Sequence, residues 1–301
     1  MTLTYGSVCS GIEAASVAWS PLGWQCRFVS EIEKFPCAVL KHHFPSVPNF
    51  GDMTKFMEWP DDRIDVLVGG SPCQSFSIAG LRRGLADPRG NLALVYLGIL
   101  DKYRPRWCIW ENVPGVLSSS GGRDFGSFLG ALGQLGYSFA YRVLDAQHFG
   151  VPQRRRRVFV VGHLGDWRRA AAVLFEREGM RGDSSKIGST TSTAIEKFGK
   201  PIKTTGYQGD VCVTENDIHP CLSASGGNNG GGAGALMLTL RGIRRATPIE
   251  CERLQGFPDD WTKVTVTTKD GPRYKAIGNS MAVPVMRWIG EGIAAVSSLS
   301  P

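Results

Sequence analysis

The chain of 301 residues contains no apolar run approaching the roughly eighteen residues that a membrane-spanning helix needs. Its N-terminus, Met1-Thr2-Leu3-Thr4-Tyr5, shows no basic segment followed by an apolar stretch, the pattern of a secretory signal. Both absences predict a cytoplasmic protein. Eight cysteines are scattered from Cys9 to Cys251 without one C-x-x-C spacing, which argues against a disulfide framework and against a zinc site. They read as reduced thiols. The five histidines offer no ligand spacing either, because His42 and His43 are adjacent and adjacent side chains on a helix do not converge on one ion. No metal is expected. Internal repeats are absent too, and 42% hydrophobic with 20% charged residues excludes a disordered chain.

What is present is an excess of positive charge. A formal +7 favours a polyanionic partner, since lysines and arginines that displace condensed counterions supply sequence-independent affinity for nucleic acid. The first half alternates β-rich and helical stretches, the pattern of a parallel sheet with crossover helices. Strands are expected at 4–8, 24–29, 64–68, 107–110 and 157–161, with a helix over 12–20 ended by Pro21. From about Asp166 the texture changes: 183–210 is polar and rich in Ser, Thr and Gly, and 226–234 reads GGNNGGGAG. Such a region builds little core. Its glycine run reads either as a mobile loop or as backbone meant to approach a phosphate or base. Pro248 stands at the start of a further helix, and apolar periodicity follows through Leu254.

Four groups of residues carry chemistry. A strand, a small-residue turn at Cys9-Ser10-Gly11 and a helix aim backbone amides at a ligand, and Glu31 ends the next strand where ribose hydroxyls would be accepted. With Asp52 ending a third segment, the three strand ends suggest an adenosine-containing molecule. Second, Cys73 in Ser71-Pro72-Cys73-Gln74 follows a buried strand and its Gly69-Gly70 stop, an unusual place for an inert core thiol. With an ordinary pKa only about 3% of a thiol is thiolate at pH 7, so cationic or helix-terminal surroundings have to assist it. Third, Glu111 of Glu111-Asn112-Val113 closes another strand, and parallel strands deliver their C-terminal ends to one edge. Fourth, Gln153-Arg154-Arg155-Arg156-Arg157 enters a strand, whose alternation sends Arg155 and Arg157 to one face and suits them to a base carbonyl or phosphate.

In this order these segments resemble the cytosine-5 DNA methyltransferases. Pro72-Cys73-Gln74, Glu111-Asn112-Val113, the Gln-x-Arg-x-Arg pattern at 153–157, Arg253 to Pro258 and Gly278-Asn279-Ser280 all fit, over roughly 4–163 and 243–292. The resemblance implies an α/β fold, a doubly wound mixed sheet of the S-adenosylmethionine-dependent methyltransferase type. It implies a catalytic domain over 1–164, a smaller target-recognition domain over 165–242, and a C-terminal return over 243–301. The implied reaction moves a methyl group from S-adenosyl-L-methionine to carbon 5 of a cytosine flipped out of double-stranded DNA, leaving S-adenosyl-L-homocysteine. Cys73 would attack carbon 6. Glu111 would hold N3 and the amino group, while Arg155 and Arg157 would bind the base carbonyl and nearby backbone.

The same resemblance assigns the cofactor to Cys9, Gly11, Ile12, Glu31, Ile32, Asp52, Met53, Pro72, Asn279 and Ser280. DNA contacts fall to Gln74, Ser77, Arg82, Arg83, Arg89, Arg241 and Gly256, with 74–91 as a basic loop closing over the duplex and a monomer as the acting unit. One departure stands out. The family's first motif is Phe-x-Gly-x-Gly-Gly, and here the segment reads Cys9-Ser10-Gly11-Ile12-Glu13-Ala14. RNA is the rival substrate, because some relatives of this fold modify transfer RNA; the recognition-sized insertion and the missing Cys-Phe-Thr signature favour DNA. A DNA-binding relative without catalysis is the other rival, and Cys73, Glu111 and Arg157 argue against it.

Overall fold

The computed structural model describes residues 2–71, 92–175, 236–239 and 242–299. Strands β1 (Thr4–Val8), β2 (Gln25–Ser30), β3 (Val66–Gly69) and β4 (Trp107–Asn112) lie parallel, and β6 (Arg156–Leu164) and β5 (Tyr137–Asp145) complete one six-stranded sheet ordered β2-β1-β3-β4-β6-β5. The chain reverses at the far edge. β6 pairs antiparallel with both β4 and β5, so the run at 157–161, expected as one more parallel strand, is longer and runs the other way. A short hairpin, β7 (Leu236–Thr239) with β8 (Gly242–Arg245), is separate from this sheet.

Period-two alternation divides the sheet's side chains between two cores. Val66, Val68, Trp107, Ile109, Phe159 and Val161 face one of them, shared with α1 (Ala14–Trp19), α5 (Trp167–Leu174), α6 (Pro248–Gln255), α7 (Asp270–Asn279) and α8 (Val283–Ser298). Leu67, Cys108, Trp110, Val158 and Val160 face the other, built with α3 (Leu92–Tyr103) and α4 (Arg123–Gln134). Helix α2 (Lys34–His43) joins the first core through Val39. Trp19 pins α1 to α8 by donating from Nε1 to the Met286 carbonyl at 2.8 Å, a buried indole whose polar atom is satisfied.

One helix boundary differs from that expected. The helix expected over 12–20 is the shorter α1, because Glu13 takes a left-handed backbone and caps it, and Pro21 sits inside a following 3₁₀ turn. Helix α5 buries Ala170, Val173 and Leu174 against the first core. Helix α6 begins as its sequence predicts: Pro248 is in the first turn and Thr247 with Glu250 forms a capping box. None of the described helices is long and apolar enough to cross a membrane.

Candidate active site

Reversal of β6 is what assembles the site. The ends of β1, β3 and β4 and the beginning of β6 all reach one edge of the sheet, so Glu111, opposite Phe159 in the ladder, stands beside Arg157. Their side chains pair at 3.1 Å (Arg157 Nε to Glu111 Oε1), and both are mostly enclosed. Burial raises the Glu111 carboxyl above its usual range, and the charges of Arg155 and Arg157 oppose that rise without cancelling it. The alternation expected of the arginine run is present: Arg155 is buried and Arg157 half-buried, whereas Arg154 and Arg156 are exposed. Arg155 donates to the Ser280 carbonyl at 2.7 Å, and its own amide donates to Asp145 Oδ1 at 2.9 Å. Arg155 thereby ties the C-terminal return to the sheet edge.

The approach to Cys73 is anchored to the same strand as Glu111. Ser71 is fully buried, its hydroxyl accepting from Trp110 Nε1 at 2.8 Å and its carbonyl from Asn112 Nδ2 at 3.0 Å. Asn112 of the Glu-Asn-Val motif is therefore a clamp on the backbone two residues before the thiol. Gly70 makes this approach close, since a Cβ there would lie 3.0 Å from Glu111 Oε2 and 3.3 Å from Met281 Cε, and both side-chain ends would have to shift. Pro72, Cys73, Gln74, Ser77, Arg82, Arg83 and Arg89, with the whole expected loop at 74–91, lie outside the described residues. So do Arg241 and the polar and glycine-rich stretches at 183–210 and 226–234.

A crevice opens at this edge, lined by Ser7, Cys9, Ser10, Gly11, Glu13, Gly70 and Glu111 from the sheet and by Asn279, Ser280 and Met281 from the return. Of the expected cofactor residues, Cys9, Gly11, Asn279 and Ser280 thus line it together. Glu31 is attached to its wall, accepting from the Gly11 amide at 2.8 Å and from the Ile32 and Glu33 amides at 2.8 Å each. Ile32 presents an exposed apolar side chain beside it, at 68%. Asp52 caps the next turn through Thr54, and Met53 is buried with its sulfur 3.4 Å from Cys9 Sγ. Burial, aided by the Glu31 charge, pushes the Cys9 thiol up to about 12, so Cys9 is a neutral wall residue. Ile12 goes elsewhere: it is buried in the core, and only its carbonyl is used, accepting from Trp261 Nε1 at 2.9 Å.

The return is held by residues that sequence reasoning gave no role or a different one. Gln255 is buried and donates to the Ile277 and Ser280 carbonyls at 2.9 and 3.2 Å, and Gln153 donates to the Leu254 carbonyl at 3.3 Å. Gly256, expected at DNA, ends α6 with φ 81°, and a Cβ there would meet Pro284 at 2.6 Å. Its backbone and packing account for the glycine. Glu13 lines the crevice with its carboxylate buried, accepting from Ser7 Oγ at 2.8 Å and from the Ser16 amide and hydroxyl at 3.2 and 3.1 Å. The signal for Glu13 was its position in the glycine motif; nothing in the sequence said that its backbone would keep a glycine's conformation. Among the described residues no cluster of metal-ligating side chains occurs.

Known proteins share this arrangement of segments. A model of the family described as C-5 cytosine-specific DNA methylase matches residues 3–220 and 181–295. A protein of Escherichia phage P1 named "DNA N-6-adenine-methyltransferase" is 33% identical over 97% of this chain, which spans 61% of that protein's length. "Type II methyltransferase M2.BsuMI" of Bacillus subtilis is 30% identical over 96% of this chain and 74% of its own length. The crystal structure of the S. pombe Dnmt2 methyltransferase superposes with a TM-score of 0.72 at 17% identity, covering 99% of this chain and 100% of that one, which is a likeness of fold.

Proposed function

The chain belongs to the C-5 cytosine-specific DNA methylase family, and from that premise we propose that it methylates carbon 5 of cytosine in double-stranded DNA through a covalent adduct on Cys73. One observation carries the reading. The backbone entering Pro72-Cys73 is clamped by Asn112 and Trp110 to the strand that bears Glu111, and Arg157 pairs with that carboxyl, whose residue lines the crevice.

S-adenosyl-L-methionine suits the crevice on its donor set. Gly11 and Ser10 offer a small-residue turn, Glu31 stands where hydroxyls are accepted, Ile32 is an exposed apolar face for a purine, and the carboxyls of Glu13 and Glu31 complement positive charge. When bound, it supplies an electrophilic methyl group on a sulfonium. The residues of the chain do the rest. A cytosine must leave the helix to enter the crevice, at a cost of about a few kcal/mol. Cys73 Sγ adds to carbon 6, which makes carbon 5 nucleophilic. Charge then grows on the ring at N3, where a protonated Glu111 donates, and the raised Glu111 pKa is the property this role needs. Arg157 holds the Glu111 carboxyl in place and faces the carbonyl side of the base. After carbon 5 is methylated its proton is removed, the electron pair re-forms the 5,6 double bond, and the thiolate departs.

By the resemblance of the sequence, 165–242 would read base edges as a target-recognition domain and 74–91 would form a loop over the DNA. The phage P1 relative's name raises adenine N6 as the acceptor. An exocyclic amine needs no thiol addition, so the pairing of Cys73 with Glu111 and Arg157 favours cytosine. The test is transfer of a radiolabelled methyl group to duplex DNA and, separately, to transfer RNA, followed by nucleoside chromatography. Label in 5-methyl-2′-deoxycytidine from DNA is expected; label only in N6-methyl-2′-deoxyadenosine or only in RNA contradicts the proposal.

A further inference from the structure

Glu13 occupies a glycine position of the motif it resembles, and it keeps a glycine's backbone, at φ 66° and ψ 60°. That left-handed conformation is unfavourable for any residue bearing a Cβ. Capping α1 is one compensation, yet a shorter serine or aspartate caps a helix as well. Glu13 is 1% exposed and lines the crevice, and its carboxylate has hydroxyl and amide partners from Ser7 and Ser16. The titratable groups facing it are Tyr5 on β1, Cys26 on β2 and Glu31 just beyond, all neutral or acidic. Among the described residues no arginine or lysine is paired with it. A buried carboxylate beside an open crevice, without a countercharge of its own, is complementary to a cation that arrives from outside.

We propose that Glu13 is a charge-selecting residue of the cofactor crevice, favouring the sulfonium of S-adenosyl-L-methionine over the neutral sulfur of S-adenosyl-L-homocysteine. The inference rests on the cofactor reading above and adds a function to it: loss of the methyl group removes the charge that Glu13 holds, so the product is released more readily than the substrate. Burial, with the Glu31 charge adding to it and the Ser7 and Ser16 hydrogen bonds opposing it, brings the carboxyl up to about 7. Near neutral pH it is therefore divided between its two forms. Arrival of a cation favours the ionised form and expels a proton, which a neutral sulfur does not.

The test is calorimetric binding of the two ligands to the full chain, in buffers of different ionisation enthalpy between pH 6 and 8.5. In the unaltered protein S-adenosyl-L-methionine should release more protons than S-adenosyl-L-homocysteine, and its preference should shrink as pH falls below the Glu13 range. Glu13→Gln keeps the shape and most hydrogen bonds; it should weaken S-adenosyl-L-methionine by about tenfold, the equivalent of one pKa unit, with S-adenosyl-L-homocysteine changed by less than about twofold. Glu13→Gly relaxes the left-handed backbone and should lose the same preference, which guards against a misfolded glutamine variant. Equal weakening of both ligands, or equal proton release in the unaltered protein, overturns the proposal and leaves Glu13 a helix cap. If the unaltered protein binds neither ligand, the cofactor reading falls with it.

Discussion

Glu111 and Glu252 are both buried carboxyls facing an arginine, one at the sheet edge and one inside the C-terminal return, and their surroundings differ in a way that separates chemistry from architecture. Glu252 is fully enclosed between α6 and α7. It accepts from Arg273 at 3.1 Å, from the Thr262 amide at 2.8 Å and from the Thr262 hydroxyl, and Arg273 is nearly as buried. Glu111 has Arg157 at the same 3.1 Å, but its other oxygen is turned toward Gly70 and the crevice. A closed pair orders the chain, whereas a pair with one open side leaves a carboxyl oxygen within reach of a substrate.

The sharpest way to break the comparison is to remove each acid in turn. Glu252→Ala removes the fully buried partner of Arg273, which keeps only the more exposed Asp260 and Asp270 and the Thr262 hydroxyl, and should cost about 3 kcal/mol of stability, read as a lowered urea midpoint. Glu111→Gln should instead lower kcat by about 10²–10³-fold, the range for one lost transition-state donor, with stability unchanged or slightly raised. The sign follows from linkage. A carboxyl whose folded-state pKa lies above its unfolded value binds protons on folding, so its ionisation opposes folding above that range, and the penalty disappears as pH falls through the folded pKa. Glutamine carries no such penalty. The same raised pKa places the alkaline limb of kcat/KM at Glu111, and that limb should be missing from the Glu111→Gln profile. Least affected should be Arg253→Ala, which removes an exposed pair with Asp259 and should change stability by less than about 1 kcal/mol in thermal unfolding.

Much of this was legible before the structure. Continuous apolar runs placed β3 and β4 within two residues, because strands buried on both faces carry no polar alternation to confuse them. The direction of β6 was hidden, since apolar pattern is the same for a strand read either way. β5, Tyr137-Ser-Phe-Ala-Tyr-Arg-Val-Leu-Asp145, escaped notice as an edge strand with mostly half-buried residues. Among site residues, the motif positions of Glu111, Arg157, Gly11 and Ser280 do meet at one edge. Arg155 and Gln153 carry motif letters too, yet their visible partners are carbonyls of the return, which depend on contacts across more than a hundred residues of chain. Glu13 shows the limit most clearly: its departure from the motif was plain, and the buried hydroxyls that accommodate it were not.

The central claim is that the crevice edge works on cytosine through Cys73. The chain and its Cys73→Ala variant should be expressed with a plasmid in a host that lacks cytosine methylation, and the plasmid mapped by bisulfite sequencing. Methylated cytosines in one recurring sequence, present with Cys73 and absent without it, are the predicted result. Methylation that survives Cys73→Ala, with the variant folded, would contradict the account.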